Sequence, residues 1–287
     1  MKYFPFLLII AVLSFADNDG CTGISSGAGS YSSDSDDINL TLINDWVMAD
    51  LVLGLDVFQG SGITNILAVD KADFFVRIYD ANTGILTDSM PLDPANDSCF
   101  GVVWNNDIVN DTYYKNDWWK SNFFFTDDFG ATWTTVPDPS GWEGRGMDFD
   151  GTDYWMASLT IIDQDIINVT RFQPGLVYET INIPEVPTQP SGLTVFPIGS
   201  NLCVAVTAYL THFIYFYEWD GSTLTFIGSA DCPASNVASS YGLAYEETSG
   251  NIFWTYKDNS YAYHLAEFSF EMLALEQTSW GDIKSSF

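Results

Sequence analysis

Basic residues are scarce in this 287-residue chain: nine Lys and Arg stand against 38 Asp and Glu, a formal net charge of −29. That balance argues against nucleic acid, whose binding is driven by Lys and Arg displacing counterions from phosphates. Anionic membranes are disfavoured for the same reason. An acidic, lysine-poor surface speaks to solvation, a saline habitat or divalent cations rather than to fold. Histidine is rarer still, with only His212 and His264. Without i, i+2 or i, i+4 spacing, and with carboxylates such as Asp163 or Asp165 to join them, they are weak metal ligands. The cysteines Cys21, Cys99, Cys203 and Cys232 show no C-x-x-C spacing, so a zinc knuckle is not expected. In an exported chain a disulfide is permitted, and four cysteines leave three pairings open. Cys203 lies in a strand-like run and reads as a small buried hydrophobe. Past Ile38 no hydrophobic stretch is long enough for a transmembrane helix, so none is expected in the mature chain.

The one long apolar run is at the start, Phe4 to Leu13 behind Lys2, followed by Ser14-Phe-Ala16. It is too short to span a bilayer, and small residues at 14 and 16 suit signal peptidase. Residues 1–16 therefore read as a signal peptide, and the protein as secreted, extracellular or periplasmic. Residues 17–38 are largely Asp, Asn, Gly and Ser and cannot bury enough surface to offset ordering entropy, which makes them a flexible leader. Residues 39–287 remain as one domain.

What fills that domain is a repeat. A glycine opens the same short word five times: Gly54-Leu-Asp-Val57, Gly101-Val-Val-Trp104, Gly146-Met-Asp-Phe149, Gly192-Leu-Thr-Val195 and Gly242-Leu-Ala-Tyr245, at spacings of 47, 45, 46 and 50 residues. Such a period belongs to repeat architectures. Second, third and fourth β-rich runs follow each glycine at matching offsets, bounded by Gly, Asn and Asp turns. Four antiparallel strands per period make the blade of an all-β fold, a β-propeller. The count points to five four-stranded blades, with Leu40–Val47 either adding an outer strand to the last blade or belonging to a sixth.

One turn carries a more specific signal. Thr126-Asp-Asp-Phe-Gly-Ala-Thr-Trp133 resembles the Asp-box (BNR-like repeat) of secreted β-propeller proteins, including sialidases. Its chemistry suits a hairpin: Asp128 accepts backbone N–H groups across the turn, Gly130 permits a positive φ, and Trp133 folds back over it. The resemblance implies that Thr126, Asp128, Gly130, Thr132 and Trp133 are structural, because in sialidases the Asp-box lies opposite the active site. Sialidases also hold the substrate carboxylate with three arginines near the axis. Here Arg77 and Arg171 fall in third strands, which leaves only Arg145, so sialidase activity is not expected. Similarity to five-bladed arabinanases, which use three central carboxylates, makes Asp56 and Asp148 the comparable pair, with Glu143 as a third catalytic candidate.

In a propeller of this strand order the loops after second strands and the connectors between blades share one face, where converging loops make a concave site. That face is expected to carry Trp118, Trp119, Trp142, Arg145, Tyr209, His212, Tyr263 and His264 as ligand-binding candidates. Exposed aromatics beside carboxylates suit sugar stacking or a protein anchor; the competing reading packs them between blades. The expected function is a binding module for a glycan or protein. The alternatives are a carbohydrate-active hydrolase, whose carboxylate separation would set its stereochemistry, and a purely structural surface protein. Calcium on the Asp-rich turns stays open, as do the sequons at Asn39, Asn96, Asn110 and Asn168.

Overall fold

The computed structural model describes residues 38–60, 62–70, 73–96, 99–105, 113–117, 120–137, 143–159, 166–234 and 236–272. Among them no helix is long and apolar enough to cross a membrane. The chain enters as β1 (Ile38–Met48) and then builds β2 (Val52–Gly60), β3 (Ile63–Asp70), β4 (Phe75–Asp80) and β5 (Leu86–Pro91) as one antiparallel sheet. β6 (Tyr113–Asp117), β7 (Lys120–Phe125) and β8 (Thr134–Pro137) form a second. β9 (Glu143–Phe149) to β12 (Leu176–Asn182), through β10 (Tyr154–Leu159) and β11 (Ile167–Gln173), form the third. The fourth runs from β13 (Pro190–Ile198) through β14 (Asn201–Ala208) and β15 (Phe213–Trp219) to β16 (Leu224–Asp231). The last holds β17 (Val237–Glu246), β18 (Asn251–Asp258) and β19 (Tyr263–Met272), with β1 paired to β19 as its outer strand. The architecture is an all-β propeller whose ring is locked by joining the first strand to the last blade.

Burial follows from position in the blade. β10 (Tyr-Trp-Met-Ala-Ser-Leu) is buried at every residue because neighbouring blades cover both faces, so its sequence reads as a continuous apolar run. The outer strand β12 alternates between half-buried and exposed positions, as one covered face requires. The core is a set of seams. Phe196, Phe216, Trp254 and Phe268 join the fourth and fifth sheets. Trp155, Val169, Val204 and Tyr217 join the third and fourth. Trp46 of β1 packs with Met48, Val52, Leu55 and Phe253 where the ring closes, its indole against Gly84.

The glycines set how closely the sheets approach. A Cβ on Gly54 would stand under 3.0 Å from the backbone of Gly101, one on Gly101 from that of Arg145, and one on Gly146 from that of Gly192 and Leu193. Gly192 meets Tyr241 and Leu243 in the same way, and Gly242 meets Leu53 and Leu55, which returns to the start. All five repeats thus form one closed ring of backbone contacts. In β2, β9, β13 and β17 the ladder to the next strand also slips at the glycine, which is a β-bulge. The N–H groups released are taken up locally: Gly192 N–H donates to Thr207 Oγ1 and Gly242 N–H to Thr255 Oγ1, each at 2.8 Å.

One expectation needs correction. Four sheets have four strands, but the second has three among the described residues. Its inner segment, 99–105, carries isolated bridges at Cys99 and Asn105 instead of a continuous ladder, and its Trp104 N–H donates to the Asp56 carboxylate. Cys99, Cys203 and Cys232 are buried thiols, and Cys21 lies outside the described residues.

Replacing Gly146 or Gly192 by alanine forces a methyl group into the neighbouring backbone, and such overpacking costs about 1–3 kcal/mol. Chemical denaturation of Gly146→Ala and Gly192→Ala is expected to show losses at the upper end of that range; an unchanged midpoint would contradict the close-contact ring.

Candidate functional site

The glycine ring divides the axial channel in two. Immediately before the glycines along the strands stand Leu53, Phe100, Arg145 and Tyr241; with Leu51 and Tyr209 they are all buried, the Arg145 guanidinium lying 4.1 Å from the centre of the Phe100 ring. These side chains plug the amino-terminal end of the channel. Beyond the glycines, at the carboxyl ends of the inner strands, the channel opens into a cavity of about 540 Å³. It is lined by Asp56, Trp104, Asp148, Phe149, Tyr245 and Glu246, with Val57, Phe58, Gln59, Val195, Glu247 and Thr248 completing the wall.

A simple register builds this wall. Where the residue two positions after the glycine is an aspartate, its carboxylate reaches the next sector; the residue three positions after packs toward the previous one. Asp56 Oδ2 accordingly accepts the N–H of Trp104. Asp148 Oδ2 accepts the N–H of Val195 and the hydroxyl of Thr194, each at 2.7 Å, while Oδ1 takes Phe149 N–H at 2.7 Å. Both aspartates therefore latch one sector to the next. Four positions after the glycine, Phe58 stacks on Trp104 at 4.0 Å, and Phe196 stacks on Tyr245 at 4.1 Å. The ring closure carries a polar latch too, since Gln59 Nε2 donates to Glu246 Oε1 at 3.0 Å.

The carboxylates differ in their proton affinity. Burial pushes Asp148 up to about 6 against the pull of its hydrogen bonds. Burial also raises Glu246, but hydrogen bonds from Ser249 and Thr248 outweigh it and hold that group below its ordinary value; Ser249 N–H donates to Oε2 at 2.7 Å.

Asp56 and Asp148 thus share one cavity, whereas Glu143 opens β9 on the far side of Gly146 from Asp148. This cavity lies at the end opposite the face expected to carry the site, several of whose candidates lie outside the described residues. Arg145 and Tyr209 belong to that plug. Tyr263 is half-buried beside the ring-closing cluster. His264 Nδ1 lies 2.8 Å from Asp45 Oδ1, its ring stacked on Tyr256, and His212 stands 3.5 Å from Asp231. Among the described residues neither histidine joins a group of three converging ligand atoms. The one such group is Asp50, Asp70 and Asp73, and Arg77 sits 3.0 Å from Asp70 and 2.7 Å from Asp73. Trp118, Trp119, Trp142, Asp163 and Asp165 lie outside the described residues. Asn96 and Asn168 are buried and Asn39 is exposed.

The turn at 126–133 joins β7 to β8 on the cavity's end of the molecule. Asp128 Oδ1 accepts Thr126 Oγ1–H and Thr132 N–H, each at 2.8 Å, and Gly130 has φ +79°. Hydrogen bonds from Thr132 and Thr126 hold Asp128 below the usual carboxylate range.

The wall aromatics Phe58, Trp104, Phe149 and Tyr245, and the acids Glu246 and Glu247, were not among the sequence-derived candidates. Their signal was there to read, in the columns three to five residues after each glycine.

No family model matches the chain, and no curated protein matches it. Solved structures do. The PQQ-bound form of aldose sugar dehydrogenase from Streptomyces coelicolor superposes with a TM-score of 0.54 at 10% identity, covering 82% of this chain and 98% of that one. A GH43_1 enzyme from Xanthomonas citri gives 0.52 at 10% identity, covering 77% and 88%. The likeness is one of fold, the β-propeller.

A carboxyl whose folded pKa is raised binds its proton more tightly in the native state. Its contribution to stability is therefore complete below the unfolded value near 4 and is lost as pH rises to about 6. Asp148→Asn turns an amide toward donor groups and is expected to cost on the order of 2 kcal/mol in acid. That deficit against wild type is expected to shrink between pH 4 and 6 and stay constant above. Denaturant titrations of both proteins across this window check it; a pH-independent gap would contradict the assignment.

Proposed function

We propose that this chain is a secreted β-propeller binding module that holds a glycan in the axial cavity. The observation that carries the reading is the cavity wall itself: Trp104, Phe149 and Tyr245 alternate with Asp56, Asp148 and Glu246 around one concave site. Aromatic faces stack on the apolar side of a sugar ring while carboxylates accept its hydroxyls. Rigidity supports the same reading, since Phe58 backs Trp104 and Phe196 backs Tyr245, so little side-chain entropy is lost on binding. Secretion rests on the amino-terminal sequence. The turn at 126–133 lies on the cavity's end, unlike the Asp-box of sialidases, and its structural role rests on its own bonds, Asp128 accepting the Thr132 N–H and hydroxyl.

A second reading, glycoside hydrolysis, is favoured by the raised pKa of Asp148 beside Asp56 in one cavity. Asp148 would be the acid and Asp56 the base. Binding is preferred because both oxygens of Asp148 are already engaged, Oδ1 by Phe149 N–H of its own strand and Oδ2 by Thr194 and Val195 of the next blade.

A glycan array followed by calorimetry on the best ligand tests the proposal. Trp104→Ala and Tyr245→Ala are each expected to weaken binding about tenfold, the equivalent of 1.4 kcal/mol. Tyr261→Ala, a change at an exposed residue on the opposite end, is expected to leave affinity unchanged. A folded protein that binds nothing on the array, or whose binding depends on Tyr261, would overturn the assignment.

A further inference from the structure

The charge of the cavity narrows the kind of sugar it suits. We propose that its ligand carries a protonated amine, so that an amino sugar is preferred to a neutral or N-acetylated one; this rests on the glycan reading above. Four carboxylates line the cavity, Asp56, Asp148, Glu246 and Glu247, and among the described residues no Lys, Arg or His does. The groups holding Asp148 are two backbone N–H groups and the Thr194 hydroxyl. Those holding Glu246 are the backbone N–H groups and side chains of Thr248 and Ser249 and the Gln59 amide. Neutral donors fix a carboxylate in place and solvate it, but they bring no opposite charge. Arg145, the cation nearest along the inner strands, is buried in the plug beyond the glycine ring.

A concave wall of one sign focuses its field on whatever enters. The aromatic wall adds to this attraction, because the faces of Trp and Tyr draw a cation as well as a sugar ring. A divalent metal fits less well. It needs several carboxylate oxygens converging on one point, and the convergent group among the described residues is Asp50, Asp70 and Asp73, none of which lines the cavity. Carboxylates spread around an aromatic wall suit an organic ammonium, whose N–H groups reach separate acceptors.

Calorimetry on the full mature chain separates the possibilities with four probes: the glucosamine disaccharide, its di-N-acetylated form, cellobiose and putrescine. The glucosamine disaccharide is expected to bind about tenfold more tightly than either of the other sugars, a preference of 1.4 kcal/mol. High salt and the Glu247→Gln variant are both expected to reduce that preference. Glu247 is exposed, and circular dichroism confirms that the variant folds. Equal binding of cellobiose would overturn the charge inference and leave the glycan reading standing. Tight binding of putrescine without any sugar would support the charge inference and overturn the glycan reading. Loss of the amine preference on adding calcium, or binding of no probe, would overturn this inference.

Discussion

The fold depends on one steric constraint, the approach of five backbone segments to one another at Gly54, Gly101, Gly146, Gly192 and Gly242. Each glycine rests against the backbone of the next sector, and the last rests against the first. No side chain fits at these contacts, which is why the recurring residue is glycine and not alanine. The bulges at the glycines follow from the same crowding. Where the ladder slips, Thr207 and Thr255 accept the released N–H groups, so the close approach leaves no buried donor unanswered at Gly192 and Gly242.

From the ring follow the two ends of the channel. Before the glycines, large side chains fill the axis: Leu53, Phe100, Arg145 and Tyr241 are buried there. After them, residues two to four positions on line a cavity. The aspartates at the second position latch sector to sector, and the aromatics at the third and fourth stack across the seams. The groups that hold the blades together are therefore the groups a ligand meets. This pre-organisation favours recognition with little rearrangement.

The sequence was most legible where periodicity controls structure. The glycine spacing, the four runs of the first, third and fourth periods and the hairpin at Thr126–Trp133 correspond to observed elements, and β1 takes one of the two places foreseen for Leu40–Val47. The inner segment of the second sector was less legible, because Gly101-Val-Val-Trp104 looks like the other words but engages Asp56 through its backbone. Asp56 and Asp148 were visible as a pair. Which end of the channel is open was not, since Phe100, Arg145 and Tyr241 share no residue type, and their common feature is a position one before a glycine. Trp104 and Tyr245 were read only as the ends of a repeated word; their partners Phe58 and Phe196 become apparent once the blades are placed side by side.

A crystal structure of the chain soaked with the glucosamine disaccharide tests the central claim, a one-ended channel whose carboxyl end receives the ligand, most directly. The account predicts the sugar against Trp104 and Tyr245, with its amine directed to Glu246 and Glu247. A sugar held at the opposite end, beside Tyr261 and His264, would contradict it.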